Sequence, residues 1–234
     1  MLVDPSARER EVIGLLDEWP WESESILIGG YAAAAYGPAR YSDDIDFVIS
    51  KKSRKRIEEW LTGRGFVTAT PGRRSRGQMF ENAHRLVRRR VTVDLLVGFV
   101  RDREAGVDIP SEWVLLRPHR VRLDLLSGRV SVPSRVARPE AIWALKLQSG
   151  RDQDLTDLFS IAKEPMDSTE VVSLFRTLMS PSFHDKLQRV SRKLDAEKIY
   201  ADARSRLGLK DSPGVRQQWE RFRDRVASCV PAND

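Results

Sequence analysis

The seven residues Val91–Val97 constrain this chain more than any other stretch: they read as a buried strand, yet they carry one charge, Asp94. A carboxylate is costly to desolvate, so the fold must bring Asp94 an opposite charge or a cation. Two sources are open. One is an ion pair with an arginine of the adjacent Arg88-Arg89-Arg90. The other is a metal ion shared with further carboxylates.

Those carboxylates stand in Asp44-Ile45-Asp46-Phe47-Val48-Ile49. Strand alternation puts Asp44 and Asp46 on one face and turns Ile45, Phe47 and Ile49 into the core. Two like charges on one patch repel unless protonated or bridged by a cation, and carboxylate oxygens suit Mg²⁺ when phosphates supply its other ligands. If the Asp94 strand lies beside this one, three acids can hold two metal ions roughly 4 Å apart, an arrangement used for phosphoryl and nucleotidyl transfer. Upstream, the apolar Ser25–Ile28 breaks at Gly29-Gly30 before a short helix, Tyr31 to Tyr36. A glycine turn entering a helix can present N–H groups to a phosphate. Simpler readings are an ordinary tight turn for the glycines and a helix start for Asp43-Asp44.

The remaining periodicity fixes the class as α+β. Apolar residues at three- and four-residue spacing predict a helix over Ser6–Trp19, and Ser53 is placed to cap another over Arg54–Leu61. Between Phe66 and Val132 short β-like runs dominate: 66–68, 78–80, 91–97, 114–116, 121–125 and 129–132, with a hairpin turn at Ser127-Gly128. The character changes at Pro133. Helices are expected over 140–148, 151–162, 168–179, 182–207 and 213–227. The expected architecture is an N-terminal domain, residues 1–135, with a mixed β-sheet flanked by helices, and a C-terminal helical domain, residues 136–234.

Composition removes other classes. Among 234 residues Cys229 is the only cysteine, which excludes an intrachain disulfide and a cysteine-built zinc staple. No run approaches the 18 or so apolar residues of a membrane span, so a cytoplasmic protein without membrane contact is expected. Forty Lys and Arg against 34 Asp and Glu give a net charge of +6, with arginines clustered at 73–76, 88–90, 117–122 and 135–138. A phosphate backbone could lie along them, or they form a solvated basic face. Trp219 and Phe222 are expected to pack inside the helical domain, and His84, His119 and His184 show no metal-binding spacing.

Gly29-Gly30, Arg40-x-Ser42-x-Asp44-Ile45-Asp46 and the isolated strand aspartate Asp94 resemble the nucleotidyltransferase superfamily of the polymerase-beta type. Ala144 to Leu158, with Lys146, Arg151, Asp154 and Asp157, resembles the second signature of its AbiEii-type branch, which includes toxins of toxin–antitoxin systems, some adding nucleotides to the 3′ end of tRNA. The resemblance implies that Asp44 and Asp46 ligate Mg²⁺, two ions in all and replaceable by Mn²⁺, with Asp94 completing the site and able to take the acceptor proton. It implies that Gly29, Gly30 and Ser42 hold the triphosphate of an NTP substrate. Arg40, Lys146 and Arg151 would neutralise phosphate charge, and Asp154 or Asp157 would orient Lys146. The implied reaction moves NMP to a hydroxyl, with tRNA or another RNA as first acceptor and an antitoxin protein as partner. Rival readings are a small-molecule acceptor of the aminoglycoside kind, a protein acceptor, and a non-catalytic RNA- or protein-binding module. Judged as residues alone, Lys146, Arg151, Asp154 and Asp157 are also a helical ion-pair set able to join two domains.

Overall fold

The structure is a computed structural model that describes residues 5–38, 42–69, 83–101, 107–125 and 130–232. The chain divides into two compact units, residues 1–101 with 109–138, and residues 102–108 with 139–234.

In the first unit the order is α1 (Pro5–Asp17), β1 (Ser25–Ile28), α2 (Gly29–Ala34), β2 (Ile45–Ile49), α3 (Arg54–Gly63), β3 (Val67–Thr68), β4 (His84–Arg88), β5 (Val91–Val97), β6 (Phe99–Val100), β7 (Ile109–Pro110), α4 (Ser111–Val114), β8 (His119–Leu125) and β9 (Val130–Val136). A seven-stranded sheet runs β3-β4-β5-β2-β1-β9-β8, and β6 pairs with β7. It is mixed: β2 lies parallel to β5 and β1 parallel to β9, while the other neighbours are antiparallel. Helices supply the cover that central strands require. Val12, Leu15, Leu16 and Trp19 turn one side of the N-terminal segment inward, and the Trp19 ring stacks on Phe47 of β2 at 4.2 Å. Trp60 of α3 meets Trp19 edge-on, with Ile57 and Leu61 buried beside it.

Two expectations need correction in this unit. The run 114–116 is not a strand: α4 ends at Val114, and Leu115 closes a turn on the Ser111 carbonyl. Three apolar residues carry no periodicity by which helix and strand can be told apart. Pro133 does not end the β region, because β9 continues through it, pairing Pro133 with Arg122. Proline is tolerated there since β1 joins β9 only at Val136, leaving β8 as the one neighbour at Pro133. Strand β4 carries no expectation from the sequence at all. The expected strand at 78–80 and the turn at Ser127-Gly128 lie outside the described residues.

The second unit contains α5 (Pro139–Ser149), α6 (Asp152–Ser160), α7 (Ser168–Thr177), α8 (Pro181–Lys193), α9 (Glu197–Arg206) and α10 (Pro213–Ser228). The expected helix over 182–207 is two helices, broken at Asp195-Ala196. Helix α5 is buried from Ala141 to Ser149, as a helix apolar on most sides must be. Trp219 and Phe222 of α10 close on Phe159 of α6 at 4.9 and 5.5 Å, so both pack in the core as expected. Cys229 is fully buried, and desolvation pushes its thiol up to about 12. Thiolate is the reactive form, so a thiol reagent at pH 8 should label Cys229 only as fast as the native chain opens. Stoichiometric labelling within seconds, at the rate seen in denaturant, would contradict this burial. Among the described residues no helix is long and apolar enough to cross a membrane.

Candidate active site

The acidic residues are set by strand register. Ile28 of β1 pairs with Asp46 of β2, Asp46 with Asp94 of β5, and Asp94 with Arg85 of β4, so one row crosses four strands. Paired residues share a face, and neighbouring strands lie about 4.8 Å apart. Asp44, two residues before Asp46, opens onto the same face, opposite to Phe47 and Trp19. The structure thus brings Asp44 and Asp46 to one side of the sheet, as their spacing predicts, and the pairing of β2 with β5 adds Asp94.

The partner of Asp94 is Arg85, rather than an arginine of 88–90. Asp94 is wholly buried, and Arg85 donates to both its oxygens, Nε to Oδ1 at 2.8 Å and Nη2 to Oδ2 at 2.6 Å. The same Nη2 donates to Asp44 Oδ2 at 2.8 Å. Arg88 is engaged elsewhere, with its guanidinium over Phe66 and a bond to the Arg64 carbonyl. The Asp44 side chain keeps 12% of its surface exposed at the mouth of the row. Burial pushes its carboxyl up to about 6; Arg85 opposes that shift and Asp94 adds to it. At neutral pH Asp44 is therefore ionised and poised to accept a cation.

Gly29 has a definite structural reason. Its φ is +70°, and a Cβ built there would lie 2.0 Å from Asp46 Oδ2. The carboxylate occupies the space that any other residue would fill, so the glycine is what lets Asp46 lie against the start of α2. Gly29→Ala is expected to cost about 1–3 kcal/mol from backbone strain alone, while displacing Asp46. Gly14→Ala, in the exposed face of α1 with nothing within 4 Å, is the matched control and should stabilise by up to about 1 kcal/mol. Urea unfolding midpoints of the two variants check both signs. Gly30 is buried in α2.

The loop before β2 is held from α1. Arg8 donates to Asp43 Oδ1 and to the Ser42 carbonyl, each at 2.9 Å, and Tyr31 Oη donates to the same carbonyl at 3.4 Å. This fixes Ser42 and the entry of Asp44. Arg40 lies outside the described residues, as do Arg73, Arg74 and Arg76.

A second cluster is internal to the second unit. Lys146 of α5 donates through Nζ to Asp154 Oδ1 at 2.7 Å and to Asp157 Oδ2 at 2.6 Å, both on α6, and Arg151 Nε donates to Asp154 Oδ2 at 2.7 Å. Both aspartates orient the lysine, where the sequence left a choice of one. Gly150 makes the geometry feasible: at φ +66°, with Val190 Cγ2 2.4 Å from where a Cβ would lie, it reverses the chain between the two helices. Burial alone would raise the Asp154 carboxyl, but the charges of Lys146 and Arg151 outweigh it and hold the group well below the usual carboxylate range.

Much of the arginine is structural. Arg138 is buried over the Trp113 ring and donates to the Leu116 carbonyl, Arg135 donates to the Glu22 carbonyl, and Arg122 bonds Ser131. Arg120, on the edge strand β8, is 82% exposed.

Among the described residues no three His, Cys, Asp or Glu side chains converge where a metal could sit. The all-oxygen pair Asp44 and Asp46 nevertheless fits a hard divalent ion, with Gly29 making room for the second carboxylate. Asp94 already has a cationic partner, since it accepts from Arg85 on both oxygens.

The profile of the family described as "Nucleotidyl transferase AbiEii toxin, Type IV TA system" matches residues 15–234. The chain belongs to this AbiEii family. It is accordingly a nucleotidyltransferase of a toxin–antitoxin family. No curated protein matches this AbiEii-family chain in sequence. A solved chain named "putative nucleotidyltransferase from H. pylori" is similar over 98% of this chain and 96% of its own, at 13% identity and a TM-score of 0.43.

Proposed function

We propose that this AbiEii-family protein transfers NMP from an NTP to the 3′ hydroxyl of tRNA or another RNA, with Mg²⁺ or Mn²⁺ on Asp44 and Asp46. The observation that carries the reading is the acid row: carboxylates at Asp44 and Asp46 on one sheet face, the second admitted by a glycine with no room for a side chain. In the reaction the acceptor hydroxyl gives up its proton to solvent water as its oxygen bonds the α-phosphorus, while the bond from that phosphorus to the β-phosphate's bridging oxygen breaks and its electron pair leaves with pyrophosphate. The metal, when bound, offsets phosphate charge at the reacting centre. The chain's own part is positioning and electrostatics. Arg8 and Tyr31 hold the Ser42 carbonyl and so fix where Asp44 presents its carboxylate. Arg151, 37% exposed, is the cation of the second cluster open to a phosphate, whereas Lys146 is committed to Asp154 and Asp157. Exposed Arg120 and its neighbours on β8 offer charge to an RNA backbone. A toxin's antitoxin partner and a cytoplasmic site of action accord with the family.

The test is transfer of label from each of four α-³²P NTPs, with Mg²⁺, to total RNA and to protein. A labelled band of tRNA size, absent with Asp44→Asn, is the expected result. Label on protein alone would replace the RNA acceptor with a protein one. Label only on an added aminoglycoside would move the acceptor to a small molecule, and no label in any arm would favour a binding module.

A further inference from the structure

We infer that Arg85 takes the place of a second metal ion: anchored on Asp94, it is the fixed cation of the acid row, and the chain binds one divalent ion, on Asp44 and Asp46. The inference rests on the metal reading proposed above and deepens it. Geometry comes first. The guanidinium grips Asp94 by both oxygens, at 2.8 and 2.6 Å, and from the same Nη2 reaches Asp44 Oδ2 at 2.8 Å. It therefore stands between Asp44 and Asp94, in the space that an ion held by those two carboxylates would need. Guanidinium does not deprotonate in proteins, so this cation cannot be titrated away to admit a metal. Asp94 is wholly buried, so a hydrated ion reaches it only if Arg85 first moves aside and leaves the carboxylate without the partner that offsets its desolvation.

Charge agrees with geometry. Three carboxylates and one guanidinium carry a net charge of −2, which a single divalent ion neutralises. Asp94 is then a positioning residue, holding Arg85 in place, rather than a metal ligand or the acceptor of the substrate proton. Register makes the arrangement permanent, because the antiparallel pairing of β4 with β5 sets Arg85 opposite Asp94.

Titration of the full chain with Mn²⁺, followed by loss of the free-ion EPR signal, reads the count directly. One ion per wild-type chain is expected. Asp94→Asn should still bind one ion, since the ligands Asp44 and Asp46 remain, and Asp44→Asn should lose it. Arg85→Lys keeps the charge and should keep the count at one. Arg85→Gln should bind a second ion, or the first at least tenfold more tightly. Two ions on the wild type, no ion on Asp94→Asn, or an unchanged Arg85→Gln would overturn the role of Arg85 while leaving the metal reading intact. No ion on the wild type would overturn both. If Arg85→Gln does not fold, the wild-type count and Asp94→Asn still decide.

Discussion

Lys146→Met is expected to destabilise the protein by about 3–5 kcal/mol, the range for removing one partner of a buried ion pair. The ammonium is 6% exposed and its two aspartates 2% each, so water cannot replace it once it is gone. Methionine fills much of the volume, which leaves electrostatics rather than a cavity as the cause. The triple variant Lys146→Met/Asp154→Asn/Asp157→Asn, with no buried charge left to strand, should recover most of the loss. Linkage supplies a second check. Asp154 is held below its unfolded value, so it contributes stability above about pH 4 that is lost as pH falls toward the depressed folded value. In Lys146→Met the stranded acid takes up a proton more readily, so acid relieves the variant. The gap between wild type and variant should therefore narrow between pH 7 and pH 5 in urea unfolding. A loss under 1 kcal/mol at pH 7, or a gap that widens in acid, would show that the cluster is not the buried, compensated unit described above.

Asp44→Asn is expected to separate activity from stability. Transfer of label should fall on the order of 10²–10³-fold, the scale for losing one preorganised electrostatic group. Stability should hold or rise slightly, because burial and Asp94 both disfavour the Asp44 charge and only Arg85 favours it. Functional sites commonly carry such a stability cost. Thermal unfolding measured beside the label assay tests both halves. If the variant unfolds at a markedly lower temperature, the carboxylate is a structural partner of Arg85 first, and the drop in transfer cannot be assigned to chemistry.

The acid row was half legible in the sequence. Asp44, Asp46 and Asp94 could be found because period-two alternation is local, and because one charge inside Val91–Val97 demands a partner. Arg85 is not legible in the sequence, because nothing local marks a strand over His84–Arg88. The turn between β4 and β5 is Arg89-Arg90, with Arg89 at φ +50°, where a two-residue hairpin usually advertises Asn-Gly or Asp-Gly. Had that turn been placed, antiparallel pairing would have set Arg85 across from Asp94 by counting. In the second unit the i, i+3 spacing of Arg151 and Asp154 was visible, but the return of α6 onto Lys146 depends on Gly150 adopting a left-handed turn against Val190.

The sequence by itself determined the α+β class, the faces of the strands, and the residue types able to hold a cation, since each follows from local periodicity and from the cost of burying charge. Only the tertiary structure decided which cation stands on Asp94, that Asp46 fills the missing Cβ of Gly29, and that Lys146 is held by both aspartates. Those outcomes depend on register and on the close approach of residues distant in the chain, which local periodicity does not encode.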